Sequence, residues 1–136
     1  MRTNQINELK PGQIRYAYLK GDVALQGGYR PVLIAQNQIG CVYSPRIWVI
    51  PLTTKVHKRM PMHVFVKKTQ KNGLHSDSIA LVEQAAFVLR EDIKDLIGVM
   101  EPDMIHQCGN AWIRNCDIFG SEIIDTVNSI TERNVA

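Results

Sequence analysis

Long hydrophobic runs are missing from this chain of 136 residues. Nowhere do apolar residues continue for the 18 or more that a membrane-spanning helix needs, so no membrane partner is expected. The first ten residues, MRTNQINELK, lack the apolar stretch of a secretory signal. Cysteine is scarce: Cys41, Cys108 and Cys116 give an odd count at wide spacing, which argues against a disulfide framework and against a zinc cluster. These absences point to a reducing, cytoplasmic setting. The histidines His57, His63, His75 and His106 show no HxxxH or HxH spacing, so the metal assignment is none. No GxSxG elbow accompanies His75, Asp77 and Ser78, whose composition is that of a turn. Gly27-Gly28 opens no GxGxxG fingerprint, and no cofactor is expected. Repeats, low-complexity tracts and Pro/Ser-rich linkers are lacking too. With 45% hydrophobic and 21% charged residues, the composition is that of one globular domain over 1–136.

Acidic residues are nearly absent from one half. Between Lys10 and Ser76 eleven Lys and Arg face a single acid, Asp22, a balance of +10. From Asp77 onward eleven acids face four bases, a balance of −7, and the whole chain carries +3. Such segregation suggests a basic face that attracts a polyanion.

Hydrophobic periodicity divides the chain once. A mixed strand over 13–20 is followed by four runs of β-formers: PVLIAQ from Pro31, RIWVIPL from Arg46, HVFVKK from His63 and SIALVEQ from Ser78. Gly, Asn, Pro and Ser separate them in QNQIG, in SP at 44–45 and in KNG at 71–73. Five short strands without helical periods between them predict a compact antiparallel barrel or sandwich. Residues 90–96 suit a helical turn, followed by a short strand IGVM. The period then changes to three and four at Ile105, Cys108, Trp112, Cys116 and Phe119, the stripe of an amphipathic helix. Pro102 suits its first turn and Gly120 its stop, with Cys108 and Cys116 facing inward. Ile123, Ile124, Val127 and Ile130 suggest a second short helix capped by Ser121. Trp48 and Trp112 lie within apolar patterns and are expected in the core.

The remaining candidates for chemistry are strand-borne. Arg30 follows the QGG turn and precedes Pro31, so its position is fixed at a strand start. A guanidinium there can hold a phosphate through two N–H donors. Thr53 and Thr54 end the run RIWVIPL and offer hydroxyls, while Lys55, Lys58 and Arg59 make the next loop an electrostatic funnel for a nucleic-acid backbone. Such a set suits cleavage of RNA, which brings its own 2′-hydroxyl nucleophile and needs only orientation and stabilisation of a crowded, charged phosphorane.

Three segments in order resemble the MazF/PemK toxins, the endoribonucleases of bacterial toxin–antitoxin pairs: QGGYRPVLIAQNQIGCVYSP at 26–45, PLTTKVHKRMPMHVFV at 51–66 and NGLHSDSIALVEQ at 72–84. The similarity runs from about Gly12 to about Met100. It implies a mainly β (α+β) fold, a small SH3-like antiparallel β-barrel with a C-terminal amphipathic helix. It further implies a homodimer whose groove crosses the interface, and cleavage of single-stranded RNA without metal to leave a 2′,3′-cyclic phosphate. A cognate antitoxin protein would block that groove with an extended tail. By position, Arg30 and Thr53 take the catalytic places; Gln26, Gly27, Gly28 and Gln84 join Thr54, Lys55, Lys58 and Arg59 as RNA-binding residues.

The chain departs from the family pattern at several places. Ala24-Leu25 replace a Ser-Glu pair before QGG, and Gln13 replaces an acid. Ala85, Ala86, Phe87, Val88, Leu89 and Arg90 replace an I-R-T-I-D-K run, so the expected arginine is Ala86. Two other readings fit a barrel so altered: a catalytically weakened or inactive module that binds RNA or antitoxin, and an inhibitor of gyrase or another protein.

Overall fold

The computed structural model describes residues 8–20, 28–55, 60–116 and 128–130. In chain order the elements are β1 (Gln13–Leu19), β2 (Gly28–Ile34), α1 (Gln38–Tyr43), β3 (Arg46–Thr53), β4 (His63–Val66), β5 (Ser78–Leu81), β6 (Ala86–Leu89), β7 (Ile93–Val99) and α2 (Pro102–Asn115). Two 3₁₀ turns, Val82–Gln84 and Arg90–Asp92, follow β5 and β6.

All pairings are antiparallel. The central strand is β3. One of its edges pairs with β2, and the other is shared by β6, opposite Arg46 to Val49, and β5, opposite Leu52 and Thr53. Strands β7-β1-β2-β3-β6 therefore form a five-stranded curl whose two outer strands are joined by the turn Arg90–Asp92. This is the expected SH3-like arrangement. The β4-β5 hairpin extends the sheet beyond it.

Alternation along the strands sorts the side chains into two cores. Ala17, Leu19, Val32, Ile34, Ile47, Val49 and Val88 pack inside the curl with Cys41 of α1. Ile14, Leu33, Ile50, Leu52, Val64, Val66 and Ala80 point the other way, where α2 covers them with Cys108 and Ala111. Consecutive Val32 and Leu33 thus serve different cores. Because β3 is buried on both faces, its run reads as continuously hydrophobic.

Backbone requirements fix the connections. Gly12 has φ +86 before β1, and a Cβ there would press Ile105 of α2 at 3.0 Å. Gly73, at φ +71, stands against the Ile97 carbonyl, where any side chain would collide. Beside it the fully buried Asn72 accepts Thr69 N–H and Leu74 N–H and donates to the Lys67 carbonyl and Glu101 Oε1.

Several sequence expectations are corrected. The strand expected from Pro31 begins at Gly28, and the runs from His63 and Ser78 end at Val66 and Leu81. QNQIG, read as punctuation, begins helix α1: Asn37 Oδ1 accepts Gly40 N–H at 2.8 Å as its N-cap. From the far end the Arg90 guanidinium donates to the Gly40 and Ser44 carbonyls. Residues 86–89, outside the five expected strands, form β6. Helix α2 ends at Asn115 with Cys116 as its C-cap, before Gly120, and Cys116 is half-buried where Cys108 is buried. Most of the second helix anticipated after Ser121 lies outside the described residues; 128–130 are helical. Trp48 and Trp112 are half-buried and meet edge to face, ring centroids 4.6 Å apart. Arg15, one of the eleven cations in the basic window, is buried and donates to Gln13 Oε1 and to the Glu8 and Lys94 carbonyls. Desolvation lowers its pKa against the pull of Asp95, so this charge serves the fold.

Candidate functional site

The inner core stops before the strands do. In β2, Val32 and Ile34 are buried while Arg30, two residues nearer the strand start, is half-buried. The β2–β3 ladder pairs Val32 with Pro51 and Leu33 with Ile50. The ladder ends at Val32 and Pro51, and alternation from that pair puts Arg30 and Thr53 on the same face of the sheet. Arg30 also pairs with Ala17 of β1, and Thr53 pairs with Ile79 of β5, which pairs with Phe65 of β4. One row on one face, Ala17 paired with Arg30 and Thr53 paired with Ile79 and then Phe65, therefore spans five strands. It begins under the inner core and runs out along the β4-β5 extension as a shelf.

Chemistry along the row changes from strand to strand. Arg30 contributes a planar fork of five N–H donors suited to phosphate oxygens. Thr53 is 6% exposed. Its Oγ1 accepts Lys55 N–H at 3.1 Å and lies 3.4 Å from the Lys55 carbonyl, a turn that leads the chain off β3. The second of those contacts is long for an O–H donor, which leaves the hydroxyl hydrogen free to turn toward a better acceptor. Ile79 is half-buried and Phe65 is 45% exposed.

The other sequence-derived candidates separate into three groups. Gly28 opens β2 at φ +100 with nothing within 4 Å of an added Cβ, so glycine is required there by conformation rather than by space. Thr54 and Lys55 are exposed immediately after β3. Gln84 is half-buried and closes the turn Val82–Gln84, which bridges the stretch of β3 between its pairings with β6 and β5. Gln26, Gly27, Lys58 and Arg59 lie outside the described residues. Among the described residues, no group of three His, Cys, Asp or Glu side chains could hold a metal ion.

Sequence reasoning placed His63 on a strand and passed over its partner. His63 is 8% exposed, with Nε2 2.9 Å from Glu83 Oε2. Met60 N–H donates to Nδ1 at 3.1 Å, so that nitrogen carries no proton and Nε2–H is the donor to the carboxylate. Glu83 Oε1 is buried and has no partner among the described residues. The pair ties the segment returning from Thr53 to the turn carrying Gln84. Twenty residues separate His63 from Glu83, so no local motif announces it; pairing of β4 with β5 brings them together. His75 and His106 are exposed, as expected. Asp77 accepts Lys68 N–H and Ser78 donates to the Ser76 carbonyl, which makes that cluster a turn.

Fold and row together define a small β-barrel with Arg30 and Thr53 on one face of its sheet, beyond the buried Val32 and Ile34. Solved structures share this fold. The Mycobacterium tuberculosis toxin MazF-mt6 superposes with a TM-score of 0.65 at 24% identity, over 77% of this chain and 96% of that one. An endoribonuclease in complex with its cognate antitoxin, from a mycobacterial species, gives 0.64 at 16% identity, over 79% and 93%. Residues 10–114 match the family model of the PemK-like, MazF-like toxins of type II toxin–antitoxin systems, and the chain belongs to that family. Among curated relatives, the endoribonuclease EndoA of Bacillus subtilis is 32% identical over 105 residues, 76% of this chain and 90% of the relative.

Proposed function

We propose that this chain is the toxin of a toxin–antitoxin pair and an endoribonuclease, cutting single-stranded RNA, mRNA included, at the row that carries Arg30 and Thr53. The placement of these two residues on one sheet face, beyond the buried inner core, carries the reading. It is supported by family membership and by a 32% identical endoribonuclease relative. In the reaction the RNA 2′-oxygen attacks the adjacent phosphorus and its proton passes to a base. The P–O5′ bond breaks as a proton reaches the 5′-oxygen, leaving a 2′,3′-cyclic phosphate. Arg30 holds the phosphate oxygens as their charge grows, and the Thr53 hydroxyl donates to one of them. Thr54, Lys55, Lys58 and Arg59 attract the flanking backbone; Gln26, Gly27, Gly28 and Gln84 frame the strand. The nucleophile comes from the substrate, so no metal is required. The active form is a homodimer in the cytoplasm, and the occupant that silences it is an extended segment of the antitoxin. Among the described residues no helix is long and apolar enough to cross a membrane.

The test is sequencing of RNA ends after a mixed RNA pool is incubated with the wild type and with Arg30→Ala, both in EDTA. Recurrent cuts ending in cyclic phosphate are expected from the wild type alone, the variant losing roughly 100- to 1,000-fold in rate as for one transition-state donor. An uncut pool with folded wild-type protein refutes the proposal.

A further inference from the structure

We propose that Phe65 is a stacking platform for a nucleobase of the RNA strand beside the scissile phosphate, and so a determinant of substrate affinity. The inference rests on the RNA-cleaving reading above. Phe65 lies on the edge strand β4 and is 45% exposed, while its neighbours Val64 and Val66 are buried on the opposite face. The strand is therefore anchored from below and the ring is presented from a fixed backbone. Through Ile79 it belongs to the same row, and the same face, as Thr53. Two strand spacings separate Phe65 from Thr53, about 10 Å between backbones. That span suits a base one or two nucleotides from a phosphate held at Arg30 and Thr53.

The surroundings favour a nucleic-acid strand over other occupants. On the same face, half-buried Ile79 stands between the ring and Thr53, and His63 beside Phe65 is buried in its pair with Glu83. Lys67 and Lys68 follow β4 directly and are exposed. An aromatic face flanked by cations matches single-stranded nucleic acid, which offers a π-face at every residue and a phosphate between residues. Phe65 and Ile79 carry no side-chain donor or acceptor, so the platform grips any base by its face. It contributes to binding rather than to chemistry.

Two variants test this on a short single-stranded RNA containing a mapped cleavage site. Phe65→Leu keeps the apolar volume and removes the ring; KM is expected to rise roughly 5- to 30-fold with kcat nearly unchanged. Phe65→Trp keeps a ring and should hold or lower KM. Replacing the base next to the cleavage site, and then the one beyond, by an abasic residue should raise the wild-type KM at one of the two positions and leave that of Phe65→Leu unchanged there. A Phe65→Leu enzyme with wild-type KM on intact RNA overturns the stacking role, including the case in which only antitoxin binding suffers. Failure of the wild type to cleave overturns the nuclease reading, a separable result.

Discussion

Replacing Thr53 by valine separates the hydroxyl from the strand that holds it. Valine keeps the β-branched shape that suits a strand end, and the position is 6% exposed, so the methyl enters a site already largely dry. The structural loss is the hydrogen bond from Lys55 N–H to Thr53 Oγ1 at 3.1 Å and the long contact of that oxygen with the Lys55 carbonyl at 3.4 Å. Lys55 is exposed, so water replaces the acceptor and the loss stays below about 1 kcal/mol. For a chain of this size that is a fall in Tm of about 3 °C. The catalytic loss is of another order. A donor aimed at the developing phosphorane is worth roughly 100- to 1,000-fold in kcat. Single-turnover cleavage of a fluorescent oligoribonucleotide at 25 °C, with thermal unfolding in parallel, reads both quantities. Thr53→Ser keeps the hydroxyl and should recover most of the rate. If Thr53→Val cleaves within about threefold of the wild type, the hydroxyl stays with Lys55 throughout and takes no part in the reaction.

Two further outcomes follow from buried and hydrogen-bonded groups. Partial burial opposes ionisation of Glu101, but hydrogen bonds from Thr69 at 2.7 Å and Asn72 at 3.1 Å, with Lys71 nearby, outweigh it and lower the pKa from 4.5. The stability this confers is present above the unfolded value and is lost as pH falls through the lower folded one. The fall in urea midpoint from pH 7 into that acid window should be smaller for Thr69→Val than for the wild type; an equal fall refutes the link. Burial pushes the Cys108 thiol up to about 12, so at pH 8 it should resist a thiol reagent until the protein is unfolded; rapid native-state labelling of Cys108 refutes its burial.

Elements whose signal is local were legible in the sequence. Alternation gave β1 to β5 their approximate places, and the Pro102 start and three-four spacing gave α2. Elements defined by a distant partner were missed. Helix α1 is six residues long, too short to show a period, and is closed by Arg90 from fifty residues away. Strand β6 continues the apolar run of β5, and only the turn Val82–Gln84, which lets both share the edge of β3, divides them. The charge count suffered in the same way: a lysine or arginine reads as surface until a buried set of carbonyls, as at Arg15, claims it.

Composition and short-range pattern by themselves determined a mainly β chain with a terminal amphipathic helix, and the motif order pointed to Arg30 and Thr53, because those signals reside in neighbouring residues. Only the tertiary structure decided that the two share a row, that Phe65 extends it and that His63 meets Glu83. Strand register sets which side chains are neighbours across a sheet, and register is fixed by turns and by the burial of two opposite faces at once, neither of which is written at any single position.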